Sequence, residues 1–327
     1  MPGRFRYPDG ALIQAPLSGF TDLAYRRAAY RGGCRFAFAE MVDAASLAYA
    51  NGRGEQLLLR GEEEEFFGVQ LVGAEPELLQ RACAKLAGYP ITLLDFNLGC
   101  PVAKVVKKGA GAALGRDIDR ALACFRILAA RSRFPVTAKL RILTHDDPAP
   151  TVKLATGLAE LGARAITVHG RILEDFYSGP VRADIIAAVR EAVAKFGVQV
   201  VANGGVRDRA SCEALRSASG CSAVMIAQGA MGNPWIFDEL GNGAPPPTLE
   251  EWRNEVRTHV SEMVGLYGES SAMRQARKIV HDYLKGRGFS ATYRDQASHL
   301  STWDEFRNWL DGATPAAASA SRPFREC

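Results

Sequence analysis

Several features that would assign the chain to a common class of protein are missing from its sequence. No apolar run approaches the roughly 20 residues that a membrane-spanning helix needs, and the N-terminal MPGRFRYPDG has no apolar signal-peptide core. There is no HExxH zinc motif and no P-loop. We therefore expect a soluble, uncleaved cytoplasmic protein with no membrane segment, and a chemistry that uses neither of these motifs.

The cysteines do not form the pairs that disulfides or zinc sites require. There are seven of them, an odd number, and no CxxC occurs. We therefore expect neither a disulfide framework nor a bound metal. Four of the seven, Cys83, Cys124, Cys212 and Cys221, should be small buried side chains.

Charge and length set further limits. The 327 residues include 40 Lys and Arg against 36 Asp and Glu, which gives a net charge of +4. This excess permits a polyanionic partner but is too small to imply one. The length suits one α/β barrel, which takes roughly 250 residues, followed by a small domain.

Short apolar runs alternate with longer amphipathic stretches through the first 230 residues or so, and the runs have the β-prone composition of buried strands. The runs are Ala11–Ala15, Phe36–Ala39, Phe66–Leu71, Thr92–Phe96, Pro135–Leu140, Ala165–Val168, Val198–Ala202 and Ala223–Ala227. Eight strand–helix repeats predict a (β/α)8 TIM barrel over residues 1–240. An open doubly wound sheet is the rival, but the first strand is followed by PLSGFTD and not by a dinucleotide fingerprint.

The composition changes after Leu240. The stretch GNGAPPPT at 241–248 predicts a linker, because glycine and proline interrupt regular structure. Residues 249–311 have no strand pattern and predict a small helical domain. The Ala-, Ser- and Pro-rich residues 312–327 predict a disordered tail.

Polar side chains and glycines follow the predicted strands, at the end of the barrel where such folds place their chemistry. After strands seven and eight the chain has NGG at 203–205 and QGAMG at 228–232. Exposed backbone N–H groups at these two strand ends predict a phosphate site, and flavin mononucleotide (FMN) fits a barrel mouth of this kind. Gln70 is suited to the pyrimidine edge of the flavin, and Lys139 to its N1 side.

Cys100 follows the fourth strand in the segment Asn97-Leu98-Gly99-Cys100-Pro101. Gly99 permits an unusual turn and Pro101 fixes the backbone directly after the thiol. An ordinary cysteine is mostly protonated near neutral pH, and the loop has no base beside it. These residues predict a proton donor and not a nucleophile.

Taken together, these segments resemble the tRNA-dihydrouridine synthases. The matching segments are APLSGFTDLAYRRAA at 15–29, EMVDAASL at 40–47, GVQLVGAEP at 68–76, DFNLGCPVAKVVKKGAGAAL at 95–114, PVTAKLR at 135–141, ITVHGR at 166–171, VVANGGV at 200–206, MIAQGAMGNPWIF at 225–237 and ARKIVHDYLKG at 276–286. The resemblance extends over about residues 11–290, and its most specific parts are the NxGCP and ITVHGR segments. The last segment looks like the RNA-binding domain of that family.

The resemblance implies bound FMN, NADPH or NADH as reductant, and uridine within RNA as substrate, with Cys100 as the proton donor. The positions that match the family's FMN contacts are Pro16, Leu17, Ser18, Gln70, Lys139, His169, Asn203, Gly204, Gly205, Ala227 and Gln228. Asn97, Arg141 and Tyr177 look like the positions that hold the target uracil. The sequence does not decide between NADPH and NADH, between tRNA and ribosomal RNA, or which uridine is reduced.

Two segments depart from the family's pattern. The family usually has Gly-Arg where this chain has Ala227-Gln228, so a charged contact to the flavin phosphate is missing. The segment ILTHDDPAP after Arg141 lacks the family's usual Gly and Trp. The first departure predicts weaker FMN retention, or an arginine supplied from elsewhere in the chain. The second leaves the exact target open.

A local basic cluster lies within the predicted helical domain and includes Arg274, Arg277, Lys278, Lys285, Arg287 and Arg294. Arg274, Arg277 and Lys278 have i, i+3 and i+4 spacing, which places them on one helical face. Next to a uridine-reducing barrel, this face is a candidate track for RNA phosphates. We expect tRNA as partner and a monomeric protein, although the sequence does not fix the oligomeric state.

Two alternatives remain at this point. The first is an FMN barrel oxidoreductase that acts on a free pyrimidine or another enone. The basic helical domain argues against it, since a small substrate needs no such surface. The second is an RNA-binding relative that has lost activity, which the Ala227-Gln228 departure favours and the presence of Cys100 and Lys139 opposes.

Overall fold

A computed structural model describes residues 5–49, 53–316 and 320–325, with the backbone alone at 53 and 54. In this part of the chain, eight parallel strands pair in sequence order and close into a barrel, because the eighth also pairs with the first. The strands are β1 (Leu12–Gln14), β2 (Phe36–Asp43), β3 (Phe67–Val72), β4 (Leu93–Leu98), β5 (Val136–Arg141), β6 (Ala165–His169), β7 (Gln199–Asn203) and β8 (Val224–Ile226). The predicted (β/α)8 TIM barrel is confirmed.

The described residues divide into two compact units, and the barrel belongs to the first, which comprises residues 1–22 and 35–227. Its helices are α2 (Ala44–Ala48), α3 (Arg53–Gln56), α4 (Pro76–Leu86), α5 (Ala103–Val106), α6 (Ala112–Arg116), α7 (Ile118–Arg131), α8 (Ala149–Glu160), α9 (Ala183–Val193) and α10 (Arg209–Ser219). Local signals set their ends, since the Asp117 carboxylate caps α7 and a capping box of Asp208 and Ser211 begins α10.

The barrel interior is apolar at the N-terminal end of the strands and polar at the C-terminal end. Alternation places Leu93, Asp95 and Asn97 on the same side of β4, and Leu93 belongs to an interior cluster that also contains Phe38 and Val201. Tyr7 joins this cluster, and its backbone N–H donates to Gln199 Oε1 at 2.9 Å. The N-terminal segment therefore packs against the apolar half of the interior, and the polar half faces the mouth.

The second unit comprises residues 23–34 and 228–327 and is helical. Its helices are α1 (Leu23–Arg31), α11 (Ile236–Asn242), α12 (Leu249–Tyr267), α13 (Glu269–Leu284), α14 (Ala291–Ala297) and α15 (Trp303–Asp311). Arg31 of α1 forms ion pairs with Glu255 at 2.7 Å and Glu262 at 2.9 Å, both on α12. These pairs explain why α1, which precedes β2 in the chain, groups with the C-terminal helices.

The sequence-based domain boundaries stay predictions. Helix α11 contains the first two residues of the predicted linker at 241–248, and α12 begins at Leu249 after a capping box of Thr248 and Glu251. In the C-terminal segment predicted to be disordered, the Arg322 N–H donates to Gly286 O at 2.7 Å and Phe324 packs on the Trp252 ring. Residues 317–319 and 326–327 of that segment, the last of which is Cys327, lie outside the described residues.

Among the helices of the described part of the chain, none has both the length and the apolar character that crossing a membrane requires.

Candidate functional site

The strand register of the first unit brings the predicted site residues together at the barrel mouth. Asn97 on β4 pairs with Lys139 on β5. His169 on β6 pairs with Arg141 on one side and with Asn203 on the other. Five side chains that are far apart in the sequence therefore occupy neighbouring positions on four adjacent strands.

The loop that carries Cys100 is fixed by contacts on both of its sides. Asn97 Oδ1 accepts hydrogen bonds from the backbone N–H of Gly99 at 3.1 Å and of Cys100 at 2.9 Å. Arg141 Nε donates to the Gly99 carbonyl at 2.9 Å. Gly111 has a φ of +60°, and a side chain there would place its Cβ 2.8 Å from the Cys100 carbonyl. Glycine is therefore required where this segment passes the loop.

The Cys100 thiol is half-buried, and its environment keeps it protonated. Burial raises the pKa of Cys100 above its ordinary value, although the positive charges of Arg141 and Lys139 oppose that rise. A protonated thiol can donate a proton, whereas a nucleophile needs the thiolate. The other four cysteines singled out in the sequence are buried, which confirms that prediction.

Lys139 is a half-buried cation held in one place. Its Nζ donates to Asn203 Oδ1 at 2.9 Å, and Asn203 Nδ2 donates in turn to the Met225 carbonyl at 2.8 Å. Burial lowers the pKa of Lys139 to about 8, and the nearby charge of Arg141 contributes to this shift. The amine therefore remains mainly charged at neutral pH, with its orientation set by Asn203.

His169 lies at the same rim and is neutral. It is buried, and burial together with the charges of Lys139, Arg141 and Arg171 lowers its pKa well below its ordinary value. Its Nε2 lies 3.4 Å from Nη1 of Arg171. A neutral imidazole can accept that hydrogen bond and keeps its other ring nitrogen as a donor.

The turn after β7 depends on two glycines. Gly204 has a φ of +128° and Gly205 a φ of +73°, both of which disfavour any other residue. A side chain at Gly204 would place its Cβ 2.9 Å from the His169 ring. The turn therefore brings backbone without side chains close to His169, and its role as a phosphate site stays a prediction.

The remaining predicted cofactor positions follow β1 and β8. Pro16 and Leu17 are half-buried and Ser18 is exposed, and the Leu17 N–H donates to Thr21 Oγ1 at 3.0 Å. Ala227 follows β8 and packs against the apolar interior cluster. Gln228 belongs to the second unit, where its exposed side chain begins the short helical turn Gln228–Ala230. The contacts of these residues with a cofactor stay predictions.

Gln70 and Asn97 are joined by a hydrogen bond that the sequence did not reveal. Asn97 Nδ2 donates to Gln70 Oε1 at 2.6 Å and also lies 3.6 Å from Met41 Sδ. Together with the two N–H groups that Oδ1 accepts, these contacts occupy all the hydrogen-bonding positions of the Asn97 amide. Asn97 therefore shapes the Cys100 loop, and its predicted contact with uracil stays a prediction.

Two interior residues, Asp95 and Thr137, were missed by the sequence analysis. The Asp95 carboxylate accepts from Gln70 Nε2 at 2.7 Å and from Thr137 Oγ1 at 2.6 Å. A signal was present, because Asp95 interrupts the otherwise apolar start of the strand LLDFNL. An ionisable residue in a buried strand is seldom retained without a specific partner.

Arg141 connects the Cys100 loop to the segment after β6. Besides its bond to Gly99, it donates from Nη1 to the Ile172 carbonyl at 3.0 Å. Its guanidinium lies 5.6 Å from the centroid of the Tyr177 ring, and the Tyr177 side chain is 48% exposed. The pair thus combines a fixed cation with a partly exposed aromatic side chain beside the Cys100 loop.

A cavity of about 330 Å³ opens beside the same loop. The cavity lies between α2, the segment after β3, and α5. Ser18 is the predicted site residue that lines it. Lys108, which also lines it, forms an ion pair with Asp43 at 2.9 Å. This pair ties the residues just after α5 to the end of β2.

In the second unit, the predicted basic face on α13 is present in part. Arg274 and Lys278 are exposed, whereas Arg277 is half-buried and donates from Nε to the Leu300 carbonyl at 3.1 Å. Arg287 was wrongly included in the surface cluster, since it is 2% exposed. Its guanidinium lies between the rings of Trp235 and Phe324, at 5.2 and 5.0 Å from their centroids, where aromatic packing stabilises it.

Comparison with known proteins places this barrel and its C-terminal helices in one family. The family model described as "Dihydrouridine synthase (Dus)" matches residues 13–320. Among curated proteins, the chain is 32% identical over 279 residues to "tRNA-dihydrouridine synthase B" of Shewanella oneidensis, covering 84% of this chain and 86% of the relative. It is 31% identical over 290 residues to "Probable tRNA-dihydrouridine synthase" of Rickettsia prowazekii, covering 86% and 88%. It is also 31% identical over 299 residues to "tRNA-dihydrouridine synthase B" of Pseudomonas aeruginosa, covering 90% and 89%.

The family match extends from β1 through the helices of the second unit, and so includes both Cys100 with its loop and the basic face of α13. It agrees with the resemblance that the NxGCP and ITVHGR segments indicate. The chain therefore belongs to the dihydrouridine synthase family.

Proposed function

We propose that this protein reduces the C5–C6 double bond of uridine in tRNA to give 5,6-dihydrouridine. FMN would be the cofactor, NADPH or NADH the reductant, and Cys100 the proton donor. The observation that carries the proposal is the fixed, protonated thiol of Cys100 beside the cationic Lys139 at the barrel mouth. The tRNA in the names of the three relatives supports the choice of substrate.

The residues at the mouth fit a flavin nucleotide. Lys139 would provide a positive charge of fixed orientation for the N1 side of the ring, and the Gly204–Gly205 turn, in which Gly205 is exposed, would offer backbone without side chains to a phosphate. Gln70 uses one amide hydrogen for Asp95 and one lone pair for Asn97, which leaves one of each for the pyrimidine edge. When bound, FMN would supply the electron pair and the hydrogen that add to C6 of uracil.

The protein supplies the second hydrogen as a proton. Addition at C6 leaves negative charge at C5 and at the C4 oxygen, so C5 needs an acid close by. Cys100 can be that acid because burial keeps the proton on Sγ at neutral pH. Asn97 and Arg141 hold the loop from opposite sides, so the thiol is presented at one position.

The uracil must leave its stacked position before it can react. Single-stranded RNA loops allow this at lower cost than a duplex does. The exposed face of Tyr177, held beside the Arg141 guanidinium, offers a surface on which a displaced base can stack. The predicted roles of Arg141 and Tyr177 in holding the uracil rest on this arrangement.

The proposed function is tested by mapping dihydrouridine in total RNA from cells with and without the gene. We expect specific tRNA positions to lose dihydrouridine on deletion and to regain it with the wild-type gene, but not with a Cys100→Ala gene. Unchanged dihydrouridine in tRNA after deletion, in a strain with no second member of the family, would refute the assignment.

The basic face of α13 allows a separate prediction about RNA binding. Arg274→Ala and Lys278→Ala together should weaken the binding of all tRNAs alike, since phosphate contacts position RNA without reading its sequence. The slope of log K against log salt should become shallower by about 0.7–0.9 for each lost contact. Arg277 is left unchanged because its bond to Leu300 supports the fold. A salt titration of tRNA binding measures both effects.

The matched control for this pair is Arg307→Ala, which removes an exposed arginine of α15 outside the basic face. We expect the control to keep the wild-type salt slope. Reductant oxidation with an artificial electron acceptor should be equal in all three proteins, because these substitutions change no barrel residue. A wild-type salt slope in the double variant would mean that Arg274 and Lys278 make no contact with RNA.

A further inference from the structure

A row of polar side chains crosses the barrel interior beneath the Cys100 loop. The register pairs Gln70 of β3 with Asp95 of β4, and Asp95 with Thr137 of β5. Asp95 is 2% exposed, and its two carboxylate oxygens accept from Gln70 Nε2 at 2.7 Å and Thr137 Oγ1 at 2.6 Å. The proposed reaction gives no direct role to this buried carboxylate.

The row continues upward to the backbone of Cys100. Gln70 Oε1 accepts from Asn97 Nδ2 at 2.6 Å. Asn97 Oδ1 then accepts from the backbone N–H of Gly99 and of Cys100. Hydrogen bonds therefore link Asp95 to the catalytic loop through two side-chain amides.

The chemistry at the two ends of this chain fixes the direction of every bond within it. An ionised carboxylate can only accept, so Gln70 must turn its nitrogen toward Asp95. A backbone N–H can only donate, so Asn97 must turn its oxygen toward Gly99 and Cys100. The Gln70 oxygen then meets the Asn97 nitrogen. Flipping either amide would bring like groups together in the interior, which is costly.

We propose that Asp95 is a positioning residue that fixes the orientation of Gln70 and, through Asn97, holds Cys100 in its reacting position. Its effect on turnover rests on the proposed function, whereas its effect on the loop does not. Burial raises the pKa of Asp95 to about 6, an increase that the hydrogen bonds from Gln70 and Thr137 and the charge of Lys139 reduce. Asp95 is therefore mostly ionised at neutral pH, as this directional role requires.

The inference predicts that Asp95 and Thr137 are energetically coupled. In Asp95→Asn, the new amide can donate its nitrogen to the Thr137 hydroxyl and keep its oxygen toward Gln70. In Thr137→Val, the carboxylate alone still orients Gln70. In the double variant, Asn97 is the one remaining group of the row that orients Gln70, and a buried polar atom of the new amide at position 95 lacks a partner whichever way that amide turns. All three proteins keep the wild-type side-chain shapes at both positions.

The experiment compares wild type and these three variants by two measurements. The first is the rate at which iodoacetamide alkylates Cys100, followed by mass spectrometry, and it requires no enzymatic activity. The second is the rate of dihydrouridine formation, with kcat and KM for tRNA determined separately. Asp95→Asn controls for the lost charge, and Thr137→Val controls for the lost hydroxyl. Alkylation of the fully buried Cys124 reports any general loosening of the same unit.

We expect each single variant to stay within about fivefold of wild type in both measurements. In the double variant, iodoacetamide should alkylate Cys100 about tenfold faster than the product of the two single effects predicts. The alkylation rate of Cys124 should stay unchanged. The kcat of the double variant should fall by up to about 100-fold, with KM for tRNA nearly constant, because a small displacement of a reacting group has that effect.

The proposal would be overturned if the rate changes of the two single variants simply multiplied in the double variant. It would also be overturned if the alkylation of Cys100 and of Cys124 were accelerated equally. If wild type forms no dihydrouridine, the proposed function fails, but the alkylation rates still decide whether Asp95 positions the loop. The two inferences can therefore fail separately.

Discussion

Replacing Cys100 with alanine is expected to lower dihydrouridine formation by about 10²- to 10⁴-fold, the usual contribution of a general acid. FMN binding and tRNA binding should change little, because the contacts that shape the loop involve the Cys100 backbone and not its sulfur. Reduction of the bound flavin by NADPH should also persist, since it precedes the proton step. The loss should therefore appear in kcat.

The measurement is single-turnover reduction of uridine in tRNA by the pre-reduced enzyme. Cys124→Ala is the matched control, since it removes a fully buried cysteine of the same unit, on α7. We expect the control to retain wild-type turnover. Wild-type turnover in Cys100→Ala would remove the thiol from the mechanism, and a lost ability to bind FMN would make its role structural.

Replacing Lys139 with methionine should have the next largest effect. The substitution keeps most of the side-chain volume but removes the charge that the hydrogen bond to Asn203 holds at the barrel mouth, where we propose that FMN binds. Loss of one such preorganised group typically costs about 10²- to 10³-fold in kcat. We expect this reduction in turnover, together with weaker FMN binding.

The pH dependence of FMN binding gives an independent test of Lys139. Because burial lowers its pKa to about 8 in the flavin-free protein, the amine is charged below that pH and neutral above it. The affinity of the flavin-free wild type for FMN should therefore fall as the pH rises through about 8. Lys139→Met should bind FMN weakly on both sides of this range. Fluorescence titration from pH 6.5 to roughly 9.5 measures both proteins, and equal affinity and pH dependence in the two would contradict the role.

The barrel could be predicted from the sequence because its strands are short, apolar and buried, so each one is visible locally. The run predicted at Ala165–Val168, for example, lies within the strand Ala165–His169, and the run predicted at Phe66–Leu71 overlaps the strand Phe67–Val72. Grouping α1 with the C-terminal helices could not be predicted. It depends on ion pairs from Arg31 to Glu255 and Glu262, and residues more than 200 positions apart share no local pattern.

The candidate site was predictable to the extent that strand ends reveal it. Cys100 follows a recognisable strand, Asn203 ends one and Lys139 lies near the end of another, and the register brings these strand ends together. Asp95 was missed because its function depends on partners on β3 and β5, which only the register identifies. Arg287 was misassigned because a local cluster of cations in the sequence does not show whether each cation faces water or lies between aromatic rings.

The most direct test of the central claim is reconstitution with purified components. The protein is supplied with FMN, NADPH and a tRNA transcript that lacks modifications, and dihydrouridine is quantified by nucleoside mass spectrometry. We predict dihydrouridine at defined positions of the tRNA, dependent on reductant, nearly abolished in Cys100→Ala, and not formed from free uridine. Oxidation of NADPH without dihydrouridine in tRNA, or equal reduction of free uridine, would contradict the account.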